Sequence, residues 1–314
     1  MSKFGTFREV ALAAAPKQAT LINTFLRNTP FLSNMPIEPT SNGLQHVFEK
    51  VMKIVEPQVI DLDAPLPLIN AETELDTVNV SQIGGQMYVG EDKLNTLGQT
   101  ADAYFDRRLR IIMPKTAMSL EKSLLVNSFL AYAIANANVQ TAGGVNTGNM
   151  YSILAVNWNP EEINGLYNPK GWGNGMVFDA ARINGGALMP MPVAVDADQN
   201  LGYGSRIKSQ LGVQLANPRY VSAINDIDVV IDDGEATGRA ALPSEAQIDD
   251  MILNADGLGS PSTVLYMPAE VMVAMNAYKG SALQMNVSDT NFDRRIATWN
   301  GTPVVPTYNF GKTS

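Results

Sequence analysis

Few residues in this chain could do chemistry, and they do not converge. There is one histidine, His46, and there are no cysteines. One imidazole cannot build a multi-histidine metal site, and without thiols there are no disulfides, thiolate nucleophiles or Cys-type zinc sites. Asp196, Asp198 and Asn200 alternate like the opening ligands of a calcium loop. Gly202 comes one place late for such a loop, however, and Ile207 stands where the bidentate glutamate is needed. Asp226, Asp228, Asp232, Asp233 and Glu235 cluster near a strand end, a pattern that reads as a solvated run rather than an acid–base pair. Gly84-Gly85 and Gly143-Gly144 are isolated pairs, expected as turns rather than phosphate loops. Arg107, Arg108 and Arg110 could hold a nucleic-acid phosphate or a neighbouring carboxylate, or simply line a solvated helix face. No catalytic residue, metal ligand or cofactor is expected.

Those arginines sit on the stretch around which the chain is organised. In residues 100–136, Phe105, Leu109, Ile112, Leu120 and Leu124 fall at helical spacing, with Met113 and Ala117 beside them. A helix over 100–126 would run roughly 40 Å at about 1.5 Å per residue. Pro114 removes one hydrogen bond, so a kinked or two-piece helix is expected, with a second short helix over 128–136.

Residues 1–43 read as an arm with short helices and frequent proline. Phe25, Leu26, Phe31 and Leu32 have no evident core there, so they pack on the same subunit or on a neighbour. Residues 44–55 read as a strand. Residues 56–98 read as a long two-stranded excursion, out and back. A lone hairpin of that length is marginal in water, so it needs a partner surface. Beyond the helix, residues 205–215 and 220–231 suggest an antiparallel pair. Ser244 with Gln247 marks a capped helix, residues 263–267 a buried strand, and Asn300-Gly301 a terminal hairpin.

The bulk properties agree with a contact-rich chain. Of 314 residues, 17% are charged, against about 25% in an average domain. A net charge of −9 argues against a chain that coats nucleic acid non-specifically, though not against a local basic face. No basic run precedes the apolar residues 10–15, so no secretory leader is expected, and no window approaches the ~18 apolar residues of a membrane span.

The order of these elements resembles the major capsid proteins of tailed bacteriophages, the Hong Kong 97-type fold. The likeness rests on several runs. Val89-Gly90-Glu91-Asp92-Lys93-Leu94 looks like the re-entry from an extended loop. Tyr104-Phe105-Asp106-Arg107-Arg108 through Glu121-Lys122-Ser123-Leu124-Leu125 is similar to a spine helix. Tyr151-Ser152-Ile153-Leu154-Ala155-Val156 and Leu215-Ala216-Asn217-Pro218-Arg219-Tyr220 resemble strands of such coats. Thr263-Val264-Leu265-Tyr266-Met267-Pro268 and Trp299-Asn300-Gly301-Thr302-Pro303-Val304-Val305 complete the series.

The resemblance implies an α+β chain. Its parts would be an N-terminal arm (1–43), a strand with extended β-hairpin loop (44–98) and a spine helix of the peripheral domain (99–140). A mixed axial domain (141–262) and a returning strand–helix–hairpin unit (263–314) would follow. It also implies pentamers and hexamers of many copies, a separate scaffolding protein and portal, weakly contacted packaged double-stranded DNA, and no membrane. The product would be a virion capsid assembled in the host bacterial cytoplasm. Expected inter-subunit contacts are Phe25, Phe31, Leu66, Leu68, Val78, Val80, Tyr88, Arg107, Arg108, Arg110, Asp232, Asp233 and Glu235. Some members cross-link a lysine to an asparagine, but no motif marks such a pair in this chain. Two alternatives stay open: an encapsulin-like compartment of the same fold, and a monomeric carbohydrate-binding or hydrolytic β protein using Trp158, Trp172 and the acidic loop.

Overall fold

The computed structural model describes residues 5–14, 19–54, 71–144, 150–169, 178–229, 241–257, 260–278, 283–287 and 295–310. In chain order the helices are α1 (Phe7–Ala14), α2 (Ala19–Phe25), α3 (Pro30–Asn34), α4 (Glu91–Leu97), α5 (Ala101–Ser123), α6 (Ala131–Ala135), α7 (Glu245–Asn254) and α8 (Ala269–Tyr278). The strands are β1 (Ile37–Pro39), β2 (Gln45–Ile54), β3 (Ala71–Asn79), β4 (Ser81–Gly90), β5 (Val139–Thr141), β6 (Tyr151–Asn157), β7 (Ile163–Tyr167) and β8 (Phe178–Arg182). They continue with β9 (Met189–Pro190), β10 (Leu201–Leu215), β11 (Val221–Ile227), β12 (Thr263–Pro268), β13 (Leu283–Val287), β14 (Arg295–Trp299) and β15 (Thr302–Thr307).

Helix α5 begins where the sequence says it should. Thr100 is the N-cap, and its Oγ1 accepts from the Ala103 N–H at 3.3 Å. Phe105, Leu109, Met113, Ala117 and Leu120 are buried along one face, while Ile112, expected in that stripe, stands outside it at 37% exposure. The helix is not divided at Pro114. The carbonyl that Pro114 leaves unbonded belongs to Arg110, an exposed residue, so solvent can take the bond. The irregularity comes later, as a π-helical turn over Leu124–Leu130 that runs straight into α6. Leu124 and Phe129, and Leu125 and Leu130, are buried five residues apart, the spacing a π-turn brings to one face. The rod from 101 to 135 is thus one body of about 50 Å.

The N-terminal helices lie on α5. Phe7, Ile22, Phe25, Phe31, Leu32 and Met35 are each at most 2% exposed and share one core with Leu109, Met113, Ala117 and Leu120. The Phe31 ring meets Phe129, Trp158 and Tyr266 at centroid distances of 5.1, 5.5 and 4.7 Å. Rings at these separations add about 0.5–1.5 kcal/mol per pair beyond area burial. The arm therefore packs on its own subunit, and β1 then joins the body by pairing in parallel with β7.

The excursion is not formed by the strands expected. β2 pairs antiparallel with β3, from Gln45 opposite Asn79 to Ile54 opposite Ala71. β4 does not return along that ribbon. It lies against β10, from Ser81 opposite Leu211 to Gly90 opposite Gly202. Gly84 permits this, and it is an interior strand residue rather than part of a turn. A Cβ at Gly84 would sit 2.4 Å from the Ile207 carbonyl oxygen, whereas one at Gly85 would meet nothing within 4 Å. Gly84→Ala should cost about 1–3 kcal/mol and Gly85→Ala well under 1, compared by thermal denaturation.

β10 is the long strand of one sheet, ordered β1-β7-β10-β4, with β8 and β9 also on β10. β11, expected to pair with it, belongs to a second sheet ordered β13-β14-β15-β12-β6-β11-β5. The link between them holds a short turn in which the Asn217 side chain accepts from the Arg219 N–H at 3.0 Å. It passes the chain from one sheet to the other instead of reversing it. β6 is buried at every position, as a central strand should be. Its alternation separates two cores. Leu154 and Val156 face the α5 side, and Ile153 and Ala155 face α7 and α8. At the sheet's end, β14 and β15 turn at Asn300 and Gly301, both at positive φ (44° and 88°).

Candidate functional site

The β2–β3 ribbon pairs with neither larger sheet. Glu72, Thr73, Glu74, Leu75, Asp76 and Thr77 are all exposed, although successive residues point to opposite faces. Leu75 is 73% exposed and Val47 46%. One face of this ribbon, carrying Val47, Glu49, Thr73, Leu75 and Thr77, is therefore open in the single chain, while His46, Phe48 and Lys50 on the other face of β2 are half-buried or buried. Lys50 stands opposite Glu74 in the register. At the base, the Val80 N–H donates to the Leu44 carbonyl at 2.8 Å. The lone histidine is a structural part of this base: His46 Nδ1 accepts from the Ser41 N–H at 3.2 Å, and the ring stacks at 6.4 Å on Phe48. Burial pushes its pKa below the usual imidazole value.

The residues expected at subunit contacts do not share one fate. Phe25 and Phe31 are corrections: at 2% and 0% exposure they are interior to their own chain and have no surface to offer. Val80 is a third, at 7% exposure under β10. Val78 is half-buried on the ribbon. Tyr88, half-buried in β4, donates its hydroxyl to Gln86 at 2.7 Å. Arg107, Arg108 and Arg110 are exposed on α5, with the Arg108 guanidinium 5.5 Å above the Tyr104 ring. Leu66, Leu68, Asp232, Asp233 and Glu235 lie outside the described residues. Two exposed apolar residues of the ribbon not named among the expected contacts are Val47 and Leu75; Leu75 stands among acidic and threonine neighbours.

Two long-range polar nodes brace the long helix. Arg182 on β8 reaches its first turn. Nε donates to Asp102 Oδ1 at 3.0 Å, Nη2 to the Asp102 carbonyl at 3.1 Å and to Asp106 Oδ1 at 3.4 Å, and the guanidinium lies 4.7 Å above Phe105. Near the other end Glu121 is fully buried. One carboxylate oxygen accepts from the Leu32 N–H at 3.1 Å and the other from Asn309 Nδ2 at 2.8 Å, while Asn309 Nδ2 also donates to the Asn28 carbonyl at 3.0 Å. Burial pushes the Glu121 pKa up to about 7. This carboxyl ties the N-terminal arm, the long helix and the segment after β15 together.

Among the described residues no group of three or more His, Cys, Asp or Glu side chains could hold a metal ion. Asp196 caps its own turn, its Oδ1 accepting from the Asp198 N–H at 3.1 Å. Trp158, proposed for a glycan platform, is buried and donates from Nε1 to Tyr266 at 3.0 Å, and Trp172 lies outside the described residues. No helix is long and apolar enough to cross a membrane, among the described residues.

Comparison with known proteins fits a chain built for contact. Among solved structures, one from bacteriophage Epsilon15 is similar at 16% identity, covering 88% of this chain and 86% of that one, with a TM-score of 0.54. That shows a shared fold. A chain of the bacteriophage JBD30 capsid (9% identity, 87% and 88% covered, TM-score 0.49) and one of the SrpI encapsulin complex of Synechococcus elongatus (11%, 64% and 89%, 0.43) are also similar, at scores that carry no weight. No curated protein matches. The family model of the major capsid protein GP7 matches residues 126–309, from the end of the long helix to the segment after β15. That span is more than half of the chain, and the chain belongs to the GP7 family of major capsid proteins.

Proposed function

We propose that many copies of this chain close, as pentamers and hexamers, into the icosahedral head of a tailed phage around double-stranded DNA. Assembly takes place in the host cytoplasm with a separate scaffolding protein and portal, and the chain catalyses no reaction. The observation that carries this reading is the β2–β3 ribbon. Its Val47–Leu75 face is open, and a two-stranded ribbon is marginal in water unless a third surface covers it. The cover is an adjacent copy, so each subunit lends a limb to one neighbour and receives a limb from another. Such head-to-tail contacts build rings when the rotation closes. The arm plays a different part from the one its sequence suggested, because its apolar side chains complete the subunit's own core. Residues 1–43 thus serve the rigidity of the building block, and residues 44–79 its joining.

The test is sedimentation and negative-stain microscopy of the purified protein across salt, pH and crowding conditions. Closed shells or capsomer rings are expected. A uniformly monomeric species in every condition would contradict the reading.

A further inference from the structure

The chain carries a net charge of −9, yet the long helix shows the opposite sign to solvent. Arg107, Arg108, Arg110, Lys115 and Lys122 are all exposed on α5. None forms an ion pair with a described residue: the salt bridges among described residues are Arg182 with Asp102 and with Asp106, and Arg206 with Asp179. From 107 to 123 the sole acidic residue is Glu121, and it is buried on the opposite face. The two carboxylates of the first turns, Asp102 and Asp106, are already held by Arg182.

The spacing organises these cations. Arg108, Lys115 and Lys122 are seven residues apart, almost two turns, so they form one row with a drift of only ~20° per step. Successive members are about 10 Å apart and the row spans roughly 21 Å. Arg107 lies on one flank, and Ile111 and Ile112 fill the gaps without adding charge. Duplex DNA presents about one phosphate charge per 1.7 Å of axis, so a 21 Å row faces on the order of a dozen phosphates. A continuous helical row of fixed charges suits the phosphate backbone, whose charge does not depend on base sequence.

We infer that this face of α5, centred on Arg108, Lys115 and Lys122, is the surface that meets the phosphate backbone of the enclosed duplex. The inference rests on the shell reading above and adds which side of the subunit faces inward. Each contact is weak and salt-sensitive; repetition over many subunits makes the lining.

The test compares the full-length protein with the triple variant Arg108→Gln, Lys115→Gln, Lys122→Gln. A second triple, Arg27→Gln, Lys93→Gln, Arg219→Gln, removes the same charge from exposed sites elsewhere. Binding of a 30-base-pair duplex is followed by fluorescence anisotropy from 50 to 200 mM salt. Loss of three phosphate contacts should flatten the slope of log K against log salt by about 2.7, so the fourfold rise in salt should weaken the wild type ~40-fold more than the α5 variant. The control triple should keep the wild-type slope. Equal slopes for all three proteins, or equal flattening by both triples, would overturn the inference. So would polyglutamate of matched charge binding more tightly than the duplex and being lost with the α5 triple, which would assign the face to an acidic polypeptide. Microscopy of the same preparations keeps the two levels apart. Shells with an unchanged slope sink only this inference, and absence of wild-type shells sinks the reading beneath it.

Discussion

Removing the β2–β3 ribbon should leave a folded protein that no longer builds shells. Its two ends are already side by side, since the Val80 N–H bonds to the Leu44 carbonyl at 2.8 Å. Joining residue 44 to residue 80 through a few Gly and Ser residues therefore needs no rearrangement of the body. Among the described residues of the ribbon only Phe48 is a buried apolar residue; the rest of the core lies in α1–α8, the π-turn, the two larger sheets and their adjoining segments. Sedimentation should show monomers or small oligomers where the wild type gives shells, with a thermal midpoint close to the parent's. A milder version is Leu75→Glu. Burying a leucine side chain is worth about 1.5–3 kcal/mol, so each contact should weaken roughly 10- to 100-fold, repeated at every subunit. Shells of normal yield from the excised protein would refute the role given to the ribbon.

The second large effect belongs to Glu121. Glu121→Ala leaves the Leu32 N–H and the Asn309 amide without their acceptor and opens a cavity in the core, and it should cost about 3–5 kcal/mol in chemical denaturation. The wild-type carboxyl also makes stability depend on pH. Its folded pKa of about 7 lies above the ordinary 4.5, so the folded state holds the proton more tightly. The resulting stabilisation is fully present below about pH 4.5 and is lost as pH rises through about 7. Glu121→Gln keeps an acceptor for one donor and removes the titration. The stability difference between wild type and Glu121→Gln should therefore move in the wild type's favour by about 3 kcal/mol on going from pH 8 to pH 4.5. A difference that stays flat across that window would refute a carboxyl raised by burial. Because Glu121 ties the N-terminal arm to the segment after β15, its loss should also release both from the long helix, readable as faster hydrogen exchange at Leu32.

Local features were legible in the sequence where one short run carries the physics. The Ser244–Gln247 capping box and the Asn300-Gly301 hairpin formed as read. The α5 stripe did too, except that Ile112 falls outside it. The limits came where a partner decides. The apolar face of α2 and α3 looks the same whether its cover is α5 or a sister subunit, so Phe25 and Phe31 could not be placed. Tyr88 and its neighbours in β4 alternate equally well for a hairpin return and for pairing with β10. Nothing near Asn217 distinguishes a reversal from a passage between sheets. The nodes at Glu121 and Arg182 join residues 76 to 188 positions apart, and no local pattern announces such pairs. The π-turn at Leu124–Leu130 is hidden because a run of apolar residues fits either helical period.

The central claim is that the ribbon of residues 45–79 becomes ordered by lying across a sister copy. A cryo-EM reconstruction of assembled particles at side-chain resolution tests it directly. The account predicts β2 and β3 draped over the adjacent subunit, with Leu75 and Val47 buried in that contact. A ribbon folded onto its own subunit, or standing in solvent away from every neighbour, would contradict it.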